Sequence, residues 1–380
     1  MKFHIVTPAL NQRAFLRRCV ASVRDQAREG VGHRVLGVGA ESVEASCKQA
    51  SLSGNPTSTS NFNLQTPNLS VHHHIQDGGS TDGTREFLEK FRFEVDGLKS
   101  EVAGQRAEGQ QAYSQQPIAD SYSFSFKSER DSGMYDALNR GIDSSLEFAV
   151  DGLQKEDHQE NNSNFTPPTS NCHDSVVAWL NCDEQYLPGT LQTVADFFAN
   201  HPDVDVLCGH ALVVDESGEL KGFWKSMPLR KRYVQSGYLY NLSCAMFFRT
   251  RVFEQGLRFN PEFKALGDQE FMIRLLGRGV KTAVHNRFFS AYTFMPGNLS
   301  EQEIAREESD KLLERFWGGA CLLRFFWRSI QRAERVLRGC RYQRFPVEYA
   351  IYVKDACVRR VNTGSKVSAR WPGERVKGRG

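Results

Sequence analysis

Asp77, Asp183 and Asp268 are carboxylates whose neighbours in the sequence suggest a chemical site. The run Asp77-Gly78-Gly79-Ser80-Thr81-Asp82-Gly83-Thr84 follows the β-rich segment Val71–Gln76. A carboxylate at the C-terminal tip of a strand, followed by glycines and a helix start, is where an open α/β sheet presents a ligand site. The glycines permit close backbone approach, and Ser80, Thr81 or Asp82 can cap a helix with the apolar stripe Phe87, Leu88 and Phe91. An ordinary capped turn has the same composition, so the neighbouring motifs decide. The apolar run Val176–Leu180 ends in Asn181-Cys182-Asp183-Glu184. Carboxylates at a strand tip with no basic neighbour suit a hard divalent cation that also touches a phosphate, and Mg²⁺ takes one or two protein carboxylates in such sites. Gly267-Asp268-Gln269-Glu270 opens a helix with apolar residues Phe271, Met272 and Leu275. Acids in a first helical turn also suit the helix dipole.

The elements that must position these acids can be read from periodicity. Phe3–Thr7 is a strand ended by Pro8, and Asn11 can cap a helix carrying Phe15, Leu16, Cys19, Val20 and Val23. The same order recurs at Val71–Gln76 and at Val176–Leu180, the latter followed by a helix after Pro188 with Leu191, Val194, Phe197 and Phe198. Repeated βα units predict an α/β fold, a Rossmann-like, mainly parallel central sheet flanked by helices. Ser132–Phe148 has a further helical pattern. Stretches at about 28–70, 95–121 and 151–174 are polar and aperiodic, and are expected to be surface insertions in a domain spanning 1–300. From 301 to 380 aromatic residues alternate with arginines, which predicts a basic, helical C-terminal appendage.

The 380 residues suffice for one large core, and a net charge of +3 does not call for a polyanionic partner. Nine scattered cysteines without paired spacing fit a reduced, cytoplasmic setting. Met1–Pro8 lacks the apolar core of a signal peptide and no apolar run is long enough to span a bilayer, so a soluble or peripheral protein is expected. The arginine-rich appendage is either a solvated face or a surface for anionic membrane, at the inner face of the membrane if it docks there. No nucleic-acid reading module is present, so no nucleic-acid partner is expected. His72-His73-His74 resembles a metal site, but adjacent strand residues point to opposite faces. Gly37-Val38-Gly39-Ala40 lacks the strand and third glycine of a dinucleotide fingerprint, and Phe223, Trp224, Trp317 and Trp327 are expected in the core.

Taken in order, Thr7-Pro8 with Asn11, the Asp77–Thr84 run, the segment Ser128–Gly141, Asn181-Cys182-Asp183-Glu184 and Gly267-Asp268-Gln269-Glu270 resemble family 2 glycosyltransferases. The likeness is to the bacterial branch that builds cell-surface and exopolysaccharides, and covers most of residues 1–300 outside the insertions. It implies a GT-A fold and inverting transfer of a sugar from a nucleotide-sugar, UDP-linked for preference, to a hydroxyl of a glycan or lipid-linked acceptor. By the resemblance, Thr7 and Asp77 lie at the nucleotide base, with Asp77 accepting from its N–H, and Pro8, Asn11 and Ser80 belong to the same cofactor-binding set. Arg130, Asp131 and Asn139 line the nucleotide and donor sugar, and Asn181 belongs to the same donor site. Asp183, with Glu184, binds Mn²⁺ or Mg²⁺ and through it the diphosphate. Asp268 is the base, with Glu270 as the other acid that could fill the role.

The sequence departs from the family pattern at three points. Asn181 stands where the stricter motif has its first Asp, Glu184 where this branch often has a second adjacent Asp, and Gly267 where an acid sometimes stands. Those departures leave open a non-catalytic member of the fold that binds a nucleotide-sugar or glycan. A nucleotidyltransferase would use a similar acid pair but gives no account of Gly267–Glu270.

Overall fold

The computed structural model describes residues 1–29, 69–107, 121–156, 175–295, 303–354 and 358–369. Three βα units come first. They are β1 (Lys2–Ala9) with α1 (Arg13–Glu29), β2 (Ser70–Asp77) with α2 (Thr84–Ala107), and β3 (Tyr122–Ser128) with α3 (Met134–Glu156). β4 (Val176–Trp179), β5 (Glu184–Tyr186) and α4 (Thr190–Asn200) follow. Strands β3-β2-β1-β4 lie side by side and parallel, with Val71 beside Phe3 and Val176 on its other flank.

Beyond β4 the direction alternates. β8 (Met246–Arg249) runs antiparallel to β4 and to β6 (Val206–Val214), while β9 (Thr282–Thr293) lies parallel to β6 and antiparallel to β5. β7 (Leu220–Trp224) pairs with β6 only. The sheet is therefore mixed, with a parallel half as expected and a second half made of hairpin-like returns.

Helices cover both faces. In β1, Phe3 and Ile5 join Leu16, Val20, Leu88 and Leu191 from α1, α2 and α4 on one side. Val6 points the other way, to Tyr135, Leu138 and Ile142 of α3 and to Phe271 of α7 (Gly267–Gly277). This is the period-2 alternation of a strand buried on both faces.

The ends of α1 and α2 differ from expectation. Asn11 does not cap α1. Its φ of 51° turns its side chain away from the helix, so that its Oδ1 accepts from Thr81 N at 2.8 Å. Asp82 replaces it, accepting from Arg13 N at 3.0 Å and Thr84 N at 3.1 Å, and so joins the starts of both helices. α2 continues to Ala107 and α3 to Glu156, so the described parts of those aperiodic stretches are helical. The remainder of the expected insertions, and Gly37–Ala40, lie outside the described residues.

Two further helices, α5 (Lys231–Ser236) and α6 (Arg251–Glu254), flank the second half of the sheet. Residues after 300 form α8 (Glu303–Trp317), α9 (Cys321–Leu337) and a hairpin of β10 (Val347–Ile351) and β11 (Arg360–Gly364) that composition did not announce. They are bound to the body. Arg359 donates to Asp25 Oδ2 at 3.1 Å and Tyr186 O at 2.7 Å, and Tyr352 N donates to Gln185 Oε1 at 2.8 Å.

The three histidines of β2 divide as strand geometry requires. His72 and His74 both meet Ser125 Oγ, at 2.9 and 2.8 Å, while His73 faces Thr7 and Tyr122. Burial lowers His73 to about 3 and His74 to about 4, and His4, whose ring nitrogens have no hydrogen-bond partner among the described residues, to about 3. Unfolded, each would titrate near 6.5, so the unfolded chain binds more protons as pH falls through that value and stability falls with it. The expected loss between pH 7.5 and 5 is of order 2 kcal/mol for each histidine held neutral. Thermal unfolding across that range checks it, and an unchanged midpoint would contradict it.

Candidate active site

Most site residues named above follow the C-terminal ends of the parallel strands or lie on α3 and α7. Asp77 ends β2 and is fully buried. Its carboxylate accepts from Ser80 Oγ at 2.5 Å and Ser128 Oγ at 2.6 Å, and from Ser80 N at 3.2 Å. Both hydroxyls are small and can rotate, so Asp77 is held in place by groups that a ligand donor could replace. Ser80 Oγ also accepts from Asn11 N at 2.8 Å, which ties the β1 loop to the β2 loop. Thr7 is otherwise engaged, its hydroxyl 3.0 Å from His73 Nε2 in the core. Pro8 beside it is half-buried, and its carbonyl accepts from Cys182 Sγ at 3.3 Å.

The loop after β3 folds over this turn. A Cβ at Gly78 would sit 2.8 Å from Asp131 Oδ2, so only glycine lets that carboxylate reach the strand tip. Arg130 is exposed, and its Cγ would lie 3.5 Å from a Cβ at Gly79. Burial, with Asp136 and Asp77 nearby, raises the Asp131 pKa, although Gly133 N donates to it at 2.9 Å. Asn139 does a different job: its Nδ2 donates to Phe259 O at 2.9 Å and its Oδ1 accepts from Phe259 N at 2.8 Å. It clamps α3 to the chain leading towards α7.

The acids after β4 also separate in role. Glu184 is buried at the start of β5, and its oxygens accept from Asn181 N at 2.7 Å and Asn181 Nδ2 at 3.3 Å. It closes the turn. Asp183 is half-buried on the outer side of that turn, and burial raises its pKa. Asn181 Oδ1 is buried with no partner among the described residues. Among the described residues no three His, Cys, Asp or Glu side chains group as metal ligands. A divalent cation here would therefore take Asp183 and the orphaned Asn181 Oδ1, with phosphate oxygens completing the shell. The expectation that Glu184 shares it narrows accordingly.

At the start of α7, Asp268 Oδ1 accepts from Tyr135 Oη at 3.3 Å and Gln269 N at 2.8 Å. Burial raises the Asp268 carboxyl to about 6, the range that suits a general base near neutrality. Burial, then the neighbouring Asp183, raises the Glu184 carboxyl, and Asp268 adds a smaller push in the same direction. Glu270 is different. Its oxygens are bound by Arg274 Nε at 2.7 and 2.9 Å and by Nη2 at 2.7 Å, and Arg274 also donates to Arg258 O. Both Glu270 oxygens are thus taken up by the guanidinium, whereas Asp268 has no cation on it among the described residues. Gly267 has a steric reason: a Cβ there would meet the Tyr135 ring at 2.5 Å.

With the geometry in place, the chain can be set beside known proteins. No family model and no curated protein matches it. Among solved structures, S. aureus TarS 1–349 in complex with UDP-GlcNAc is 13% identical, with a TM-score of 0.45 over 97% of this chain and 100% of that one. A longer TarS structure is also 13% identical, with a TM-score of 0.42 over 96% of this chain and 60% of its own length. Mannosyltransferase PcManGT from Pyrobaculum calidifontis, in complex with GDP-Man and Mn²⁺, is 11% identical, with a TM-score of 0.38 over 90% and 76% of the two chains. Likenesses this distant leave the reading to the residues.

Sequence reasoning missed Glu308. This buried residue of α8 accepts from Lys264 N at 2.6 Å, Ala265 N at 3.0 Å and Leu266 N at 2.8 Å, the amides just before Asp268. The available signal was an acid on the Ala305, Glu308 and Leu312 face, where a polar residue needs partners. Glu308→Ala leaves three amides without an acceptor and is expected to destabilise the protein by roughly 2–4 kcal/mol. Denaturant unfolding measures this, and a change under about 0.5 kcal/mol, the scatter of surface substitutions, would remove Glu308 from the account.

Proposed function

We propose that the protein is an inverting glycosyltransferase of GT-A architecture, using a nucleotide-diphosphate sugar, UDP-linked for preference, and a hydroxyl of a glycan or lipid-linked acceptor. One observation carries this reading. Three carboxylates stand at one sheet edge in different states: Asp77 in displaceable hydroxyl contacts, Asp183 desolvated beside an unpartnered amide oxygen, and Asp268 raised to about 6. Few reactions need a base reader, a phosphate-side acid and a separate proton acceptor together.

In this reading Asp77 accepts from the N–H of the base after Ser80 and Ser128 turn aside, and Arg130 and Asp131 flank the nucleotide. Asp183 and Asn181 would hold Mn²⁺ or Mg²⁺, which when bound neutralises charge developing on the diphosphate. Asp268 takes the proton of the acceptor hydroxyl as its oxygen bonds to the anomeric carbon and the bond to the diphosphate breaks. Attack opposite the leaving group inverts the anomeric centre. Tyr135 and Gln269 N hold Asp268 in position.

Nucleotide release across UDP- and GDP-sugars with Mn²⁺ tests the reaction. Asp268→Asn is expected to lower kcat by about 10²–10⁴ while donor Kd changes little. Asp77→Ala should weaken donor binding instead. Because the base must be ionised, kcat of the wild type should rise with pH through about 6 and then level. Donor binding without nucleotide release under any condition would leave a binding protein that keeps the fold, the reading that the lone acid at Asp183 favours.

A further inference from the structure

Helix α9 packs Trp327 and Ile330 on the body and leaves a second apolar stripe facing outward. Leu322, Phe325, Phe326, Ala333, Val336 and Leu337 recur at helical spacing, and Leu322, Phe325 and Leu337 are 87%, 66% and 86% exposed. The side facing the protein carries Trp327 and Ile330, which pack on the core, together with Arg324, Arg328, Gln331 and Arg335. These contacts fix the rotation of the helix. Arg324 Nε donates to Ser236 O at 3.2 Å, the Arg335 guanidinium lies 4.0 Å over the Trp224 ring, and Glu334 accepts from Tyr233 Oη at 2.7 Å. Rolling the helix to bury the phenylalanines would break all three contacts. A contiguous apolar face of this kind marks an interaction surface.

The surrounding charge indicates its occupant. From Gly318 to Val347 the sequence has seven arginines, and its one acid, Glu334, is turned inward to Arg230 and Tyr233. Arg332, Arg338, Arg341 and Arg344 are exposed beside the apolar face or just beyond its end, as is Tyr342. A second copy docked on the same face would bring these cations together. A layer of negative headgroups over hydrocarbon matches both parts, since such helices lie in the interface with the apolar face buried and the basic residues among the headgroups. No helix among the described residues is long and apolar enough to cross a membrane.

We infer that α9 docks in the plane of a lipid bilayer bearing anionic headgroups, with Leu322, Phe325, Phe326 and Leu337 inserted. This is independent of the sugar-transfer reading. The test is flotation of the full chain with phosphatidylcholine vesicles, with and without phosphatidylglycerol, at physiological salt. The wild type should float with the anionic vesicles and much less with neutral ones. Leu322→Glu with Phe326→Glu should reduce flotation by about tenfold at an unchanged melting temperature, as burial of apolar side chains sets such binding. Arg332→Glu with Arg341→Glu should abolish the preference for phosphatidylglycerol. Equal flotation of the glutamate variant and the wild type, or no flotation by the wild type, overturns the inference. So does a wild-type dimer, seen by light scattering without lipid, that the glutamate variant converts to monomer.

Discussion

The buried Glu308 carboxylate, with three backbone amides on its oxygens, fixes the stretch of chain from which Asp268 projects. Lys264–Leu266 belong to a connection rather than to a strand or helix, so no ladder holds their N–H groups. A neutral acceptor would satisfy fewer of them and less strongly. Because Glu308 comes from α8, the C-terminal elements form part of the scaffold of the site. Tyr135 adds a second restraint from α3, donating to Ala265 O at 3.0 Å and to Asp268 itself. The acid thus stands where two separate parts of the chain agree on a position.

The acids of the motifs differ in what holds them. Glu270 is neutralised by Arg274, Glu184 closes a turn on Asn181, and Asp82 joins two helix starts. Each is an acid of a motif with fixed partners on its oxygens, although burial raises Glu184 as well. Asp183 and Asp268 are held in low-dielectric surroundings without a cationic partner in contact, which is why burial raises both. A group kept away from its preferred charge state is one that a cation, a phosphate or a proton can alter.

The strand tips were legible because they are local. β1, β2, β4 and α3 were visible as short periodic runs with their punctuation, and Asp77, Asp183 and Asp268 were picked out by position relative to those runs. The pairings across long separations were not. β5 was hidden in what looked like a turn, because its partner β9 lies about a hundred residues on, with Tyr186 beside Ser290. Asn139 read as a site residue from its motif, whereas its amide fits the Phe259 backbone, a contact 120 residues apart. Gly267 looked like a departure from a pattern until the Tyr135 ring was seen against it.

α9 shows the same limit in another form. Its sequence announces amphipathicity, but a helix alternating aromatics and arginines can present either side to the protein. The choice was made by the surface beneath, where Trp224 and the carbonyl of Ser236 offer partners to cations and the core beside Tyr233 takes only Trp327 and Ile330 of the apolar residues. α5 lies under α9, and Gln269, next to Asp268, donates to Val234 O at the end of α5. The outward apolar face and the segment that carries Asp268 are therefore separated by one short helix. On the proposed readings of sugar transfer and bilayer docking, an acceptor held at a lipid surface would be met from the side that carries Asp268.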